Sequence, residues 1–124
     1  MLYELETGYT VDNILSEATG IINNMGVEVQ TAVYSEKPPD KYVVIVPIED
    51  EFAEFADNKP TLDKQSARIV ILNKENPYRL RNNIVKALWN AGFSILTRKY
   101  SGFDAETKHH IMYVEIEGGY KVDL

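Results

Sequence analysis

The two histidines of the chain, His109 and His110, are adjacent in a segment whose alternating apolar residues predict a β-strand. Neighbouring side chains of a strand point to opposite faces, so the two imidazoles cannot bind one metal ion together. One of them could join Asp104 or Glu106 as a ligand, but a pair on a partly exposed edge strand explains both histidines without a metal. We therefore predict no metal site.

Acidic residues suggest one enzymatic alternative, a metal-dependent nuclease. A Pro-Asp pair followed by a strand that carries Glu-x-Lys is a nuclease pattern, and Pro39-Asp40 precedes an apolar segment that ends near Glu49 and Glu51. No lysine stands two positions after either glutamate, so the pattern is incomplete. A solvated acidic loop explains the same residues, and the nuclease remains an alternative.

Other catalytic patterns are missing. The chain has no cysteine, which excludes disulfides, thiolate chemistry and cysteine-ligated zinc. The Gly118-Gly119 pair precedes no helix, so it cannot form a phosphate-binding loop at a helix N-terminus. We predict a protein that is not an enzyme and takes no cofactor.

Charge is unevenly distributed along the 124 residues, which suit a single domain, 1–124. Residues 1–63 carry 13 acidic and three basic side chains, whereas residues 64–124 carry 10 basic and six acidic ones. Two unrelated solvated faces would explain this. Alternatively, the acidic flank of one subunit meets the basic flank of another copy, a head-to-tail contact that can close into a ring. The longest apolar run, residues 42–48, is too short to cross a membrane, and the N-terminus shows no signal-peptide pattern; we expect cytoplasmic assembly and no membrane partner.

Two helices and five strands are predicted. An apolar stripe with a 3.6-residue period predicts a helix over Val11–Met25, capped by Thr10 and ended by Gly26. Asn76-Pro77 opens a second helix that ends at Gly92, with Trp89 in the core. Strands are predicted over residues 27–34, 41–48, 66–73, 93–100 and 109–117. The fold class is therefore α+β, a mostly antiparallel sheet of about five strands packed with two helices in the order α-β-β-β-α-β-β.

Residues 49–64 show no clean period and are predicted to form a long loop. Compact domains rarely keep about 15 irregular residues unless they are functional or disordered. One explanation is a flexible insertion; the other is an assembly arm that orders on a neighbouring subunit, with Phe52 and Phe55 as anchors. After Gly118-Gly119, residues 118–124 are predicted to form a short C-terminal arm.

Three segments resemble the tail-terminator, or tail-completion, proteins of long-tailed bacteriophages of Gram-positive hosts. They are residues 55–60 before a strand, residues 76–88 in the second helix, and residues 100–110, where an acidic-x-Glu-Thr-x-x-His run precedes the last strand. The element order agrees over nearly the whole chain. Lys108 departs from the family pattern, in which a small or aromatic residue is commoner at this position.

The resemblance implies a structural protein of the virion, located at the head–tail junction and forming a hexameric ring that caps the tail tube. Its partners would be further copies of itself, the tail tube protein and the head-side connector protein, and DNA would pass through the ring without specific binding. A head-to-tail joining adaptor of the same particle is the nearest alternative. Besides Phe52 and Phe55, the candidate interface residues in these segments are Asp57, Asn58, Lys59, Pro60, Lys108 and His109.

Overall fold

The computed structural model describes residues 13–30 and 37–122. Its elements are α1 (Ile14–Asn24), β1 (Val29–Gln30), β2 (Lys41–Ala56), β3 (Lys59–Asn73), α2 (Pro77–Asn90), β4 (Ser94–Asp104) and β5 (His109–Lys121). The five strands form one sheet in the order β1-β2-β3-β5-β4, in which only the β1–β2 pair is parallel. The predicted α+β class and element order are confirmed.

An asparagine side chain caps the start of each helix, and a glycine follows the end of each. The Asn13 side chain accepts a hydrogen bond from the Ser16 N–H at 2.8 Å, so α1 starts three residues later than predicted; Thr10, the predicted cap, lies outside the described residues. In α2 the predicted cap is confirmed, because the Asn76 side chain accepts from the Tyr78 N–H. Gly26 and Gly92 adopt the left-handed conformation just after each helix, which glycine reaches without a Cβ clash.

The core lies between the helices and one face of the sheet. Alternate residues of a strand share a face, and Val43, Ile71 and Met112 stand opposite one another in register on the helix-covered face. The apolar stripes of the helices cover them with Ile14, Ala18 and Ile22 from α1 and Leu80, Ile84 and Leu88 from α2. A second, smaller cluster of Tyr42, Val44 and Leu72 lies on the opposite face.

The predicted loop over residues 49–64 is a β-hairpin. Strand β2 runs eight residues past Ile48 to Ala56, and β3 begins at Lys59 and pairs with it through to Asn73. The prediction of irregular structure here was wrong because residues 49–56 are nearly all exposed and carry no apolar alternation. A bulge interrupts the register between Pro47 and Glu49, where the buried part of β2 has ended and its exposed part continues into the hairpin.

The predicted C-terminal arm is also part of the sheet as far as the structure describes it. Gly118 and Gly119 lie within β5, paired with Gln65 and Lys64, and the strand continues to Lys121. A Cβ on Gly118 would stand 2.9 Å from the ring of Phe93, so glycine at this position lets that buried ring pack against the strand. Residues 123–124 lie outside the described part. No helix within the described residues is long and apolar enough to cross a membrane.

Candidate protein-interaction surfaces

The end of the β2–β3 hairpin is built by a two-residue turn. Asp57 and Asn58 both have positive φ, 52° and 64°, and Ala56 pairs with Lys59 on either side of them. Positive φ at both central residues defines a type I′ turn, whose twist matches that of antiparallel strands. The hairpin end is therefore defined by backbone pairing. It protrudes beyond the last β3–β5 pair, Leu62 with Lys121, by three residues of β3, about 10 Å.

Residues 49–60 form a surface that we call the acidic hairpin. It carries five exposed acids against one lysine, namely Glu49, Asp50, Glu51, Glu54 and Asp57. Within the described residues, none of the five forms an ion pair. The outer edge of β2 past Val44 also has no strand partner among these residues, since β1 pairs only with Val43 and Val44. In the described part of the chain, the acidic hairpin is thus a negative edge of the sheet.

Six of the eight interface candidates lie together on this hairpin. Phe55 is 64% exposed, Phe52 is 39% exposed, and the other four form the turn and the start of β3: Asp57, Asn58, Lys59 and Pro60. Lys108 and His109 lie at the opposite end of the sheet, because β5 starts there and the hairpin turns at the other end. The separation is roughly 45 Å, the length of the 14 steps from Lys59 to Asn73.

His109 is fully buried, so its side chain lies away from any surface that a partner could contact. Its Nε2 lies 2.7 Å from the Pro39 carbonyl oxygen, and since a carbonyl only accepts, Nε2 carries the hydrogen. The ring stands edge-on to Tyr42, with centroids 5.6 Å apart, and Nδ1 has no hydrogen-bond partner. The predicted edge position was wrong, since β5 lies between β3 and β4. His109 joins the segment before β2 to the start of β5.

The β4–β5 turn is organised by Asp104. Its carboxylate accepts hydrogen bonds from the Glu106 and Thr107 N–H groups, which lower the pKa of the Asp104 carboxyl. Lys108 follows with φ of 66° and its N–H donates to the Asp104 carbonyl. The Glu106-Thr107 part of the sequence motif therefore builds a turn.

A hydrogen-bonded group around Gln65 joins the hairpin to α1. Gln65 donates to the buried Asp63 carboxylate and accepts from the Ile14 N–H, at 2.9 and 2.7 Å, so it links β3 to the start of the helix. Asp50 pairs with Gln65 in register. Partial desolvation and then the charge of Asp63 raise the pKa of the Asp50 carboxyl, although much of its side chain is exposed. The negative charge of Asp63 nearby thus disfavours ionisation of Asp50.

A basic groove lies at the other edge of the sheet, and sequence analysis missed it. The α2–β4 groove, about 410 Å³ in volume, is lined by Arg81, Asn82, Lys86, Trp89, Asn90 and Arg98, among others, and none of its lining residues is acidic. Arg81 lies over the Tyr78 ring and donates to Asn82, and in the described part of the chain Arg81, Lys86 and Arg98 form no ion pair. The groove is a positive counterpart of the acidic hairpin.

Trp89 was predicted to lie in the core, but it is 69% exposed. The buried stripe of α2 is Leu80, Ile84 and Leu88, and a residue one position further turns about 100° away from that stripe. Trp89 lies between the α2–β4 groove and a second depression lined by Phe93, Ser94 and Ile95. An exposed tryptophan between two depressions is typical of an interaction anchor.

The acidic residues that would form the nuclease site lie far apart in the structure. Asp40 pairs with Lys74 at 3.4 Å, and it stands nine residues before Glu49, about 30 Å along the extended chain. Over residues 13–30 and 37–122, no group of three or more acidic or histidine side chains could hold a metal ion.

No known family model matches the chain. No curated protein matches it either.

Proposed function

We propose that the protein is a structural component of a long-tailed phage virion, a tail terminator. It would form a ring of identical subunits, cap the tail tube and provide the surface on which the head-side connector docks. Resemblance to that family implies a hexamer.

One observation carries the proposal: the sheet has oppositely charged edges. The acidic hairpin and the α2–β4 groove lie on β2 and β4, which β3 and β5 separate. Ion pairs occur between these edges, for example Arg68 with Glu115 at 2.6 Å, whereas the charges at the edges themselves have no such partner in the described part of the chain. Unlike surfaces on one subunit favour head-to-tail contacts, which form rings when the rotation closes.

Polymerisation of the tail tube tests the proposal. Tube protein from the same particle is polymerised with and without this chain, and the tubes are examined by electron microscopy. The expected result is a ring at one end of each tube and an arrest of elongation at roughly stoichiometric amounts. Unlimited elongation with no ring would refute the proposal.

Binding to the connector identifies the alternative. A protein that binds the head-side connector but neither the tube nor further copies of itself would be a joining adaptor. The control is the variant K86E/R98E, which keeps the fold because both side chains are exposed and in which self-association is expected to be weakened.

A further inference from the structure

We propose that the acidic hairpin of one copy docks into the α2–β4 groove of the next copy, with Phe55 packed against Trp89. The inference deepens the proposed function, since it names the two surfaces that would join neighbouring subunits. It rests on the self-association that the function requires, and on the geometry of the described residues.

The groove has the properties of an acceptor. Trp89 is the most exposed large apolar side chain of the described residues, and it lies beside the cations Lys86 and Arg98. Helix α2 carries three cations and no acid, so the helix itself supplies no counter-charge for them. Tryptophan and arginine are the residue types that most often dominate protein interfaces.

The acidic hairpin has the properties of the occupant. Phe55 is the next most exposed large apolar side chain, and Glu54 and Asp57 flank it. The type I′ turn holds this end in one backbone conformation, so docking orders few additional residues. The hairpin therefore presents an aromatic side chain among acidic residues, and the groove presents an aromatic side chain among cations. The two surfaces are complementary in charge.

The hairpin does not reach the groove of its own chain. Strands β2 and β4 are three strand spacings apart in the sheet, about 14 Å, and the hairpin end points away beyond β5 along the strand direction. Because the two surfaces differ, each subunit can use both at once, and contacts propagate from copy to copy. Such a chain of contacts closes into the ring of the proposed function.

Disulfide trapping tests the docking directly, because the natural chain has no cysteine. One variant carries Ala53→Cys, two residues before Phe55 and on the same face of β2, and a second carries Asn90→Cys in the groove; neither position is buried, and Phe55 and Trp89 stay in place. The two variants are mixed in equal amounts under mild oxidation. A matched control replaces Asn90→Cys by Asn24→Cys, an exposed position at the end of α1.

The expected product is a heterodimer of one hairpin and one groove variant, formed at least about tenfold faster than either homodimer or the control pair. Adding K86E/R98E to the groove variant should lower its rate about tenfold, the effect of one close charge pair. Adding E51K/E54K to the hairpin variant should then restore it. A statistical mixture of dimers, or rates equal to the control, would overturn the docking.

Two further outcomes separate this inference from the proposed function. If the pair is not trapped but the wild-type chain still caps tubes, only the docking is wrong. If the pair is trapped but tubes elongate freely, the docking stands and the tail-terminator function is wrong. Binding of double-stranded DNA that is lost in K86E/R98E, without trapping, would assign the groove to nucleic acid and overturn the proposal.

Discussion

At the scale of single residues, two carboxylates respond to folding in opposite directions. Partial desolvation and the charge of Asp63 raise the pKa of Asp50, whereas hydrogen bonds from the Glu106 and Thr107 N–H groups lower the pKa of Asp104. An acid with a raised pKa costs stability when ionised, and an acid with a lowered pKa contributes stability when ionised. Asp50 therefore opposes folding at neutral pH, and Asp104 supports it.

The matched variants Asp50→Asn and Asp104→Asn should consequently shift the melting temperature at pH 7 in opposite directions. Asp50→Asn should raise it, and the gain should fade as the pH falls from the raised folded pKa towards the ordinary value of 3.8. Asp104→Asn should lower it, and the loss should fade as the pH falls below 3.8 through the lowered folded pKa. Thermal melts between pH 3 and 8 measure both; shifts of equal sign would contradict this account.

His109 provides a second prediction at this scale. His109→Ala removes a fully buried ring and leaves the Pro39 carbonyl without its donor, which should cost about 2–4 kcal/mol of unfolding free energy. The control His110→Ala removes a partly exposed ring that contacts Tyr100 and should cost less than about 1 kcal/mol. Urea unfolding compares them, and equal costs would show that His109 does not hold the segment before β2.

At the scale of elements, the sequence predicts those parts of the fold whose residues are buried on one side. Helix α2 is predictable because Asn76-Pro77 marks its start and its apolar stripe faces the sheet. The hairpin is not, because residues 49–56 are exposed on both faces apart from the half-buried Ala53 and need no alternation of apolar and polar residues. Its one local signal is Asp57-Asn58, a dipeptide that tolerates the left-handed conformation of a type I′ turn.

How far the candidate surfaces can be predicted from the sequence also depends on what the pattern of buried residues reveals. The exposure of Phe55 is predictable because no apolar periodicity around it assigns its ring to a buried face. Trp89 is not, since helical periodicity places it next to Leu88, and only the edge position of β4 leaves that side of α2 uncovered. The groove is a product of the tertiary arrangement, which brings Arg98 of β4 beside Lys86 of α2.

Shortening the hairpin should test whether its end contributes to folding. Replacing residues 55–60 by Asn-Gly removes mostly exposed residues and joins Glu54 to Thr61 through a favoured hairpin turn. The unfolding free energy should change by less than about 1 kcal/mol, because the pairing of Asp63 and Gln65 with β5 is retained. Circular dichroism and urea unfolding measure this, and a chain that no longer folds would show that the hairpin end is part of the folding core.

At the scale of the whole molecule, charge is separated to two edges of one sheet, and under the proposed function this separation would determine how copies meet. Like edges repel, and unlike edges attract, so the charges favour head-to-tail contacts over twofold ones. Contacts between exposed charges are screened by salt, with a Debye length of about 10 Å at 0.1 M ionic strength. Association is therefore expected to weaken as salt is added.

The mass of the assembled species tests this claim most directly. The full chain is mixed with tail tube protein and analysed by sedimentation velocity at low and at high ionic strength. We predict one discrete ring that contains an integral number of 14.1 kDa chains, six if the family resemblance holds, and that loses subunits as salt is raised. A chain that stays monomeric at every concentration and ionic strength, with or without the tube protein, would contradict head-to-tail assembly.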